Sequence, residues 1–393
     1  MDSIKTDFEN YLAPTCDSPM GLEIIDANGI YLYDIHGKEY MDLISGIGVS
    51  CLGHKHPKLI KAIKEQVDKY LHIMAYGEYI QSPQTKFAKK LAENLPPTLS
   101  STYFVNSGTE ANEAAIKLAK RATGRTKLVA CRNSYHGSTH GSLSLTDNEN
   151  KKYHARPLLP EVYFMDFNSI DDLSIIDEKT AGVIIEPIQG DAGVRIPSQA
   201  FMTALRKRCD ETGTLLIFDE VQTGFGRTGK LFAFEHFNVI PDIITLAKGL
   251  GGGMPIGALV ASKALMQLWT FDPMLGHITT FGGHPVSCAA GLATLTTLTE
   301  DGLIEEVERK GQLFESLLQH SKIKEIRRIG LLFAIELSDF DEVHVTVQKG
   351  LKNGFIGFWF LSTKNAFRIA PPLIISDDEI RKACNLILMS LND

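Results

Sequence analysis

The chain has 393 residues, 44% of them hydrophobic, which is the composition of a soluble enzyme and a length that predicts two domains. Its 47 acidic and 40 basic residues give a net charge of −7 without a long block of one sign, which argues against nucleic acid or an anionic membrane as a main partner. The six cysteines include no CxxC pair, and no apolar run approaches membrane-spanning length. We therefore expect a cytoplasmic protein without a disulfide framework, a metal site or a membrane anchor.

Helical and strand-like segments alternate from about residue 58 to residue 262, which is typical of a parallel βαβ sheet. Apolar spacing predicts a helix over residues 58–74, and the N-cap Ser198 with Gly213 predicts another over 199–212. The predicted strands cover residues 127–131, 161–165, 181–185, 214–219, 242–248 and 256–261. This pattern predicts an α/β domain with helices on both faces of its sheet.

The pattern changes after a helix predicted over residues 286–298. A charged helix at 305–320 is followed by the strand-like segments FAIEL, FIGFWFL and FRIA. Ser376 and Glu379 then form a capping box at the start of a last amphipathic helix. This order of elements predicts a second, smaller α+β domain.

Two predicted strands of the sheet end in opposite charges. Residues 215–219 are an apolar run that ends in the carboxylate of Asp219, and residues 242–248 are a β-branched run that ends in the amine of Lys248. In an open α/β sheet both side chains would project into the crevice beyond the carboxyl ends of the strands. A lysine and an acid placed there suit a Schiff-base cofactor, whose aldehyde bonds the lysine while the acid keeps its ring nitrogen protonated. A structural ion pair is the alternative interpretation.

The segment YFVNSGTEAN indicates a strand, a turn of small residues and the start of a helix. Free N–H groups at such a helix start bind phosphate, Ser107 and Thr109 add hydroxyl donors, and Gly108 allows close approach. Ser107 and Glu110 also fit an ordinary capping box, so a purely structural helix start is the alternative.

Residues 224–229, GFGRTG, match the glycine spacing of a dinucleotide-binding loop. Such a loop should follow its strand directly and open a helix, whereas four residues intervene here and an aromatic-rich segment follows. We interpret these residues as an ordered loop rather than a nucleotide site.

Further candidates lie near the same sheet edge. The rings of Tyr135 and His136 follow a predicted strand and could stack on a planar cofactor, although packed loop aromatics are the equal alternative. Glu186 and Asp191 follow the next predicted strand and could orient neighbouring groups or merely cap a loop. Arg368, a lone base between apolar residues, suits bidentate carboxylate recognition, with a surface arginine as the alternative.

Taken together, seven segments are similar to those of the class III pyridoxal-phosphate aminotransferases, the family of the ornithine, acetylornithine and 4-aminobutyrate enzymes. They are SGTEANEAAIKLA, YHGST, IIEPIQGDAGV, LIFDEVQTGFGRTG, AKGLGGGMPIGA, TTFGGHP and FRIAPPL. The resemblance extends from about Gly29 to the C-terminus. It implies an α/β fold of fold-type I, with a large domain at residues 58–298 and a small domain built from residues 1–57 and 299–393. It also implies a homodimer with active sites at the interface.

The resemblance assigns the catalytic and cofactor-binding roles by position. Lys248 would form the Schiff base with pyridoxal 5′-phosphate, Asp219 would pair with the pyridine nitrogen, and Gln222 would bond the phenolic oxygen. Glu186 would support this network, and Thr280 would reach the phosphate of the partner subunit. The remaining cofactor-binding candidates are Ser107, Gly108 and Thr109 at the phosphate, and Tyr135, His136 and Val221 around the ring.

The substrate side departs from the family pattern. Arg368 resembles the arginine that grips a substrate carboxylate, and Asp191 stands where the family has a glutamate that neutralises that arginine. Ser138 stands where the acetylornithine and ornithine members have an arginine, and Ile47 stands where ornithine members have a tyrosine. Thr279, beside the phosphate-binding threonine, completes the substrate-binding candidates.

The resemblance implies a transaminase that moves an amino group from an ω-amino or diamino acid to a 2-oxo acid in a ping-pong cycle. Another class III reaction on the same cofactor, such as that of an aminomutase, a decarboxylating transaminase or an epimerase, is the nearest alternative. A nicotinamide- or nucleotide-dependent enzyme and a non-catalytic binding protein are the other classes.

Overall fold

The computed structural model describes residues 4–392, whose strands form one seven-stranded sheet and two four-stranded sheets. The strands are β1 (Ile24–Asn28), β2 (Tyr31–Asp34), β3 (Glu39–Asp42), β4 (Ser101–Val105), β5 (Lys127–Cys131), β6 (Val162–Met165), β7 (Thr180–Ile185), β8 (Leu215–Asp219), β9 (Ile243–Leu246), β10 (Gly257–Ala261), β11 (Glu325–Ile329), β12 (Leu332–Glu336), β13 (Phe355–Ile356), β14 (Phe358–Trp359) and β15 (Ala366–Ile369).

The right-handed α-helices flank these sheets. They are Ile4–Tyr11, Pro57–Val67, Ser82–Glu93, Gly108–Thr123, His140–Ser144, Glu149–Lys152, Gln199–Thr212, Lys263–Gln267, Pro285–Glu300, Val307–Leu317, Phe340–Asn353 and Asp377–Leu391. Short 3₁₀ turns cover Tyr153–Ala155, Asp171–Ile175, Ala233–His236, Lys248–Gly251 and Leu268–Thr270. Among residues 4–392, no helix is long and apolar enough to cross a membrane.

The large sheet has the order β4-β10-β9-β8-β7-β5-β6. The five strands from β9 to β6 run parallel to one another, while β10 runs antiparallel to both of its neighbours. The mostly parallel α/β sheet predicted from the alternation of elements is confirmed. Its parallel strands end at one edge, and that edge carries the functional side chains described below.

The helix Gly108–Thr123 packs its small residues onto this sheet. Alanines and Leu118 form its buried face, and Gly124 ends it in the left-handed conformation with φ 68°. A Cβ on Gly182 of β7 would lie 3.2 Å from the Cβ of Ala119, tighter than ordinary carbon contacts. Small residues on both elements therefore let this helix, and the anion-binding turn at its start, lie close to the strand ends.

The two smaller sheets are formed by the ends of the chain. Strand β13, from the C-terminal part, pairs in parallel with β3 from the N-terminal part. Strand β15 lies between β12 and β14, so Arg368 stands on an inner strand. The N-terminal and C-terminal parts of the chain thus share one sheet, and the division into two domains stays a prediction.

Two predicted elements end earlier than the sequence indicated. The helix predicted over 58–74 ends at Val67, and the strand predicted over 242–248 ends at Leu246. Lys248 instead opens a 3₁₀ turn with φ +45°. The predicted helix at 199–212 is confirmed with Ser198 as its N-cap, and so is the capping box of Ser376 and Glu379.

Candidate active site

A cavity of about 480 Å³ opens at the carboxyl edge of the parallel strands. It gathers residues from the turn after β4, the loop after β5, and the ends of β7, β8 and β9. Its lining includes Val49, Asn106, Ser107, Gly108, Thr109, Asn112, Tyr135, His136, Ser138, Glu186, Asp219, Val221, Gln222, Ala247, Lys248 and Met254. Most of the cofactor-binding candidates predicted from the sequence are therefore brought together.

Lys248 and Asp219 reach this cavity from adjacent strands. Strands β8 and β9 pair in parallel with Asp219 opposite Thr245, and Lys248 follows two residues after β9 ends. Burial disfavours the ammonium and the charge of Arg368 adds to this, so the pKa of Lys248 lies below its usual value although Asp219 opposes the shift. A lysine in this setting is shifted toward the neutral amine, which is the nucleophilic form.

The carboxylate of Asp219 is held by donors on both oxygens. Its Oδ2 accepts hydrogen bonds from Asn112 Nδ2 and from His136 Nδ1, both at 2.8 Å, and its Oδ1 accepts one from the backbone N–H of Val221 at 3.0 Å. Asn112 is itself oriented, because Thr245 Oγ1 donates to its Oδ1 at 2.7 Å. These contacts fix the direction in which a buried anion faces the cavity.

His136 lies behind Asp219 and is buried. Burial disfavours its protonation, but the hydrogen bond and charge of Asp219 outweigh that penalty and raise the pKa of His136. Within residues 4–392, its Nε2 atom has no hydrogen-bond partner. The contact to Oδ2 therefore positions Asp219, and the loop that bears Tyr135 is tied to the strand end.

The start of the helix Gly108–Thr123 forms an anion cradle. Ser107 Oγ accepts the N–H of Glu110 at 3.3 Å, while no acceptor in residues 4–392 takes the N–H groups of Gly108 and Thr109. A Cβ on Gly108 would lie 2.8 Å from a methyl group of Val221, so only glycine fits there. The Glu110 carboxylate accepts from the N–H of Asn106 rather than from that of Ser107, so the alternative of an ordinary capping box is incomplete.

Glu186 is buried beside the same network. Its two oxygens accept the N–H groups of Tyr135 at 3.2 Å and Gly190 at 2.9 Å. Burial raises its pKa to about 7, with the charge of Asp219 adding to the shift and that of His136 opposing it. The side chain thus ties the Tyr135 loop to the segment that bears Asp191.

Arg368 and Asp191 form a buried ion pair outside the cavity lining. Arg368 Nη2 donates to Asp191 Oδ1 at 2.7 Å, and the guanidinium stacks over the ring of Phe360 at 4.6 Å. Asp191 also accepts the N–H of Leu361 at 3.2 Å and the hydroxyl of Ser362 at 3.0 Å. Arg368 is 5% exposed, so the alternative of a surface strand arginine is wrong.

The cavity therefore joins a lysine shifted toward its neutral form, an oriented carboxylate and the N–H donors of a helix start, which are the groups that pyridoxal phosphate requires. A family model described as aminotransferase class-III matches residues 12–391. The chain belongs to the class III aminotransferase family. Its cofactor is pyridoxal phosphate, its fold is fold-type I, and it transfers an amino group from an amino donor to a 2-oxo acid.

Named relatives and solved structures agree with this assignment. The aminotransferase is 43% identical to the acetylornithine aminotransferase of Methanopyrus kandleri, over 92% of each chain. It matches the ornithine aminotransferase structure of Toxoplasma gondii with TM-score 0.90 and 30% identity, over 98% of this chain and 92% of the other. It matches the omega transaminase of Pseudomonas jessenii, solved in complex with PMP, with TM-score 0.91 and 27% identity, over 99% and 98% of the chains.

Five predicted site residues of the aminotransferase lie away from the cavity lining, namely the ion-paired Arg368 and Asp191 together with Thr279, Thr280 and Ile47. Thr280 is exposed, and the hydroxyl of Thr279 is buried without a hydrogen-bond partner in residues 4–392. Ile47 packs against an apolar cluster that includes Tyr40 and Ile44. The chain's own cavity thus gathers the cofactor candidates but not these substrate-side and partner-side ones.

Two residues of the aminotransferase have structural roles that no local sequence pattern predicts. Asn112, which orients Asp219, lies in the segment SGTEANE, but spacing alone gave no sign of its partner across 107 positions. Arg227 lies in the glycine loop GFGRTG, which forms turns rather than a nucleotide site. Its contacts are described below.

Proposed function

We propose that Lys248 is the residue that bonds the cofactor and Asp219 the residue that faces its ring nitrogen. Pyridoxal phosphate, when bound, supplies an aldehyde for amines and a ring that withdraws electrons from the substrate's Cα. The lowered pKa of Lys248 and the three hydrogen bonds that orient Asp219 support these roles. The amine of Lys248 would take the Cα proton as general base.

The remaining cofactor contacts follow from the cavity lining. We propose that the free N–H groups of Gly108 and Thr109 bind the phosphate, with the Ser107 hydroxyl beside them. Tyr135 and Val221 would flank the two ring faces, and the predicted contact of Gln222 is with the phenolic oxygen. His136 and Glu186 would act through Asp219 and the Tyr135 loop.

The donor is proposed to be an ω-amino or diamino acid, and the buried pair of Arg368 and Asp191 carries this proposal. While the distant amine of such a donor reacts, Asp191 neutralises Arg368 at 2.7 Å. When a 2-oxo acid enters, its carboxylate would replace Asp191 on the guanidinium. Aspartate is shorter than the family's glutamate, but the 2.7 Å distance means that Asp191 is long enough to pair with Arg368.

The acceptor is proposed to carry one carboxylate. Where acetylornithine and ornithine members have an arginine, Ser138 makes a 3.2 Å hydroxyl contact with Tyr135. A second carboxylate would meet hydroxyl groups there rather than a guanidinium, at a loss of charge-assisted hydrogen bonds. The similarity to enzymes named acetylornithine aminotransferase nevertheless keeps acetylated and free diamino acids as the first donors to test.

We also propose that the enzyme is a cytoplasmic homodimer whose subunits complete each other's sites. Large apolar side chains are exposed around Thr280, which the chain's own cavity does not use. Their exposed fractions are Ile80 98%, Met274 77%, Leu71 59%, Tyr79 57%, Phe281 56% and Leu275 51%. An apolar surface of this kind is typical of a permanent interface.

The test is a panel of donors crossed with acceptors on the purified holoenzyme, with both products quantified. Equal amounts of amino product and carbonyl product, fastest with ω-amines and a one-carboxylate acceptor, would support the proposal. An aminomutase would rearrange its substrate without an acceptor, and a decarboxylating transaminase would release carbon dioxide. Faster turnover with 2-oxoglutarate than with pyruvate would contradict the proposed acceptor.

A further inference from the structure

Arg227, in the glycine loop that resembles a nucleotide site, is the largest fully buried side chain of the described residues. Its Nη1 donates to the carbonyl oxygens of Leu331 at 3.0 Å and Pro371 at 2.5 Å, and its Nη2 donates to Ser45 Oγ at 3.5 Å. Burial lowers its pKa to about 10, which leaves the guanidinium charged at neutral pH. It forms no ion pair with any residue from 4 to 392.

The three acceptors of Arg227 come from both ends of the chain and converge on the strand that bears Arg368. Ser45 Oγ donates to the carbonyl oxygen of Ala370 at 2.6 Å, and the N–H of Ala370 donates to the carbonyl oxygen of Leu43 at 2.6 Å. Ala370 lies two residues after Arg368 and next to Pro371. The guanidinium therefore joins the glycine loop, the N-terminal segment and the end of β15.

The N-terminal segment held in this way has an unusual backbone. The four residues Ser45–Gly48 all have positive φ, with 49° at Ser45 and 66° at Ile47, and form one left-handed turn. Non-glycine residues rarely adopt this conformation, and a β-branched residue such as Ile47 does so least. Such a turn persists only where surrounding contacts determine it, as those of Ser45 do here.

This left-handed turn lies beside the proposed catalytic lysine. A Cβ on Gly48 would lie 3.9 Å from Cδ of Lys248, which is ordinary contact distance. Behind the turn, the N–H of Leu373 donates to the carbonyl oxygen of Cys51 at 2.8 Å. One face of the segment thus lies close enough to Lys248 that an added Cβ on Gly48 would touch it, and the other face is hydrogen-bonded to the chain that follows Arg368.

We propose that Arg227 is a positioning residue that sets the separation between Arg368 and Lys248 through the left-handed turn. Arginine suits this task because its planar fork can donate to acceptors from several segments at fixed angles, which a lysine cannot do. The inference rests on the proposed role of Arg368 as the residue that binds a substrate carboxylate.

The test measures how tightly the holoenzyme binds a carboxylate that cannot react, such as propionate, through its effect on the cofactor's absorption band. We expect Arg227→Met to weaken this binding by about a hundredfold, since small displacements of a binding group have effects of this size. Cofactor content should stay at one per subunit, because Gly108, Thr109 and Lys248 are untouched. Arg227→Lys should recover only part of the affinity.

Arg125 provides the matched control. Like Arg227 it donates to three acceptors, in this case the backbone carbonyl oxygens of Thr180, Thr212 and Gly213, but at the opposite end of the parallel strands. Arg125→Met should lower the thermal midpoint without changing propionate affinity. If Arg227→Met also lowers the thermal midpoint without changing propionate affinity, Arg227 serves only stability and the inference is wrong.

Two further variants keep the outcomes separate. If Arg227→Met does not fold, Ser45→Ala, which removes the contact to Ala370, should still weaken propionate binding, and unchanged binding would overturn the inference. Arg368→Lys tests the underlying function. Unchanged propionate affinity in Arg368→Lys would refute the proposed role of Arg368 itself, whereas a loss there with no loss in Arg227→Met would refute only the positioning role.

Discussion

Asp191 Oδ1 and Arg368 Nη2 lie 2.7 Å apart and join the loop after β7 to the inner strand β15 of a different sheet. Both side chains are buried, so each depends on the other for its charge compensation. Any carboxylate that binds Arg368 must compete with Asp191. The strength of this pair therefore determines how readily Arg368 binds a substrate carboxylate.

Replacing Asp191 should favour the 2-oxo acid over the amine. In Asp191→Asn the guanidinium keeps its position but loses its internal anion, so KM for the 2-oxo acid should fall by about tenfold. The control is Asp242→Asn, which breaks a more exposed 2.9 Å pair with Arg206 outside the cavity lining. An unchanged or higher KM in Asp191→Asn, measured in steady-state kinetics, would contradict this account.

Neutralising Asp219 should slow the chemical step while the cofactor stays bound. We expect Asp219→Asn to lower kcat by about a hundredfold or more, since the buried carboxylate proposed to face the cofactor's ring nitrogen is lost. Asn112→Ala should have a smaller effect, because it removes only one of the two donors to Oδ2. Single-turnover rates measure both effects, and a normal rate in Asp219→Asn would contradict the role proposed for Asp219.

Glu220 should make stability depend on pH without taking part in catalysis. It is buried, accepts from Thr223 Oγ1, Ala233 N and Phe234 N, and burial raises its pKa from 4.5 to about 7. The folded protein therefore holds this proton at pH values where the unfolded chain has released it. Stability should fall as pH rises from 4.5 to about 7, by ~3 kcal/mol from this group.

Glu220→Gln provides the measurement. Its thermal midpoint relative to the wild type should improve as pH rises from about 5 to about 7 and then stay level, because only the wild type has a carboxyl group that ionises in the unfolded chain while it stays protonated in the folded protein. If the thermal midpoint changes equally with pH in Glu220→Gln and in the wild type, Glu220 ionises with an ordinary pKa and the prediction is wrong. Turnover per folded enzyme should be similar in both.

Thr280 should act on the cofactor of a partner subunit. Thr280→Asp places a negative charge near the proposed phosphate and should weaken cofactor binding, whereas Thr203→Asp on an exposed helix face should not. Mixing inactive Thr280→Asp and Lys248→Ala chains should restore about a quarter of full activity, since half of the dimers then contain one intact site. A monomer in sedimentation, or a mixture that stays inactive, would exclude shared sites.

The cofactor site could be predicted from the sequence because its residues follow strand ends and a helix start, which are local patterns. The predicted helix 58–74 is too long because apolar spacing continues past Val67, yet Leu71 is 59% exposed and therefore contributes little burial that could stabilise another helical turn. The apolar pattern there marks a surface rather than a core.

Other parts of the site depend on long-range contacts that no local pattern reveals. The left-handed turn Ser45–Gly48 has a serine and an isoleucine in a conformation that both avoid, and contacts more than 180 residues away hold it. The contacts of Arg227 are also long-range, and the glycine spacing around it indicates a nucleotide-binding loop instead.

The location of the covalent cofactor link tests the central proposal most directly. Borohydride reduces a lysine-cofactor imine to a stable amine, so the holoenzyme can be reduced, digested and examined by mass spectrometry. We predict a single pyridoxyl group, on Lys248, and none in Lys248→Ala, which should not turn over. Lys310→Met, which removes another buried lysine, should keep the label. A pyridoxyl group on a different lysine, or ordinary turnover by Lys248→Ala, would contradict the proposal.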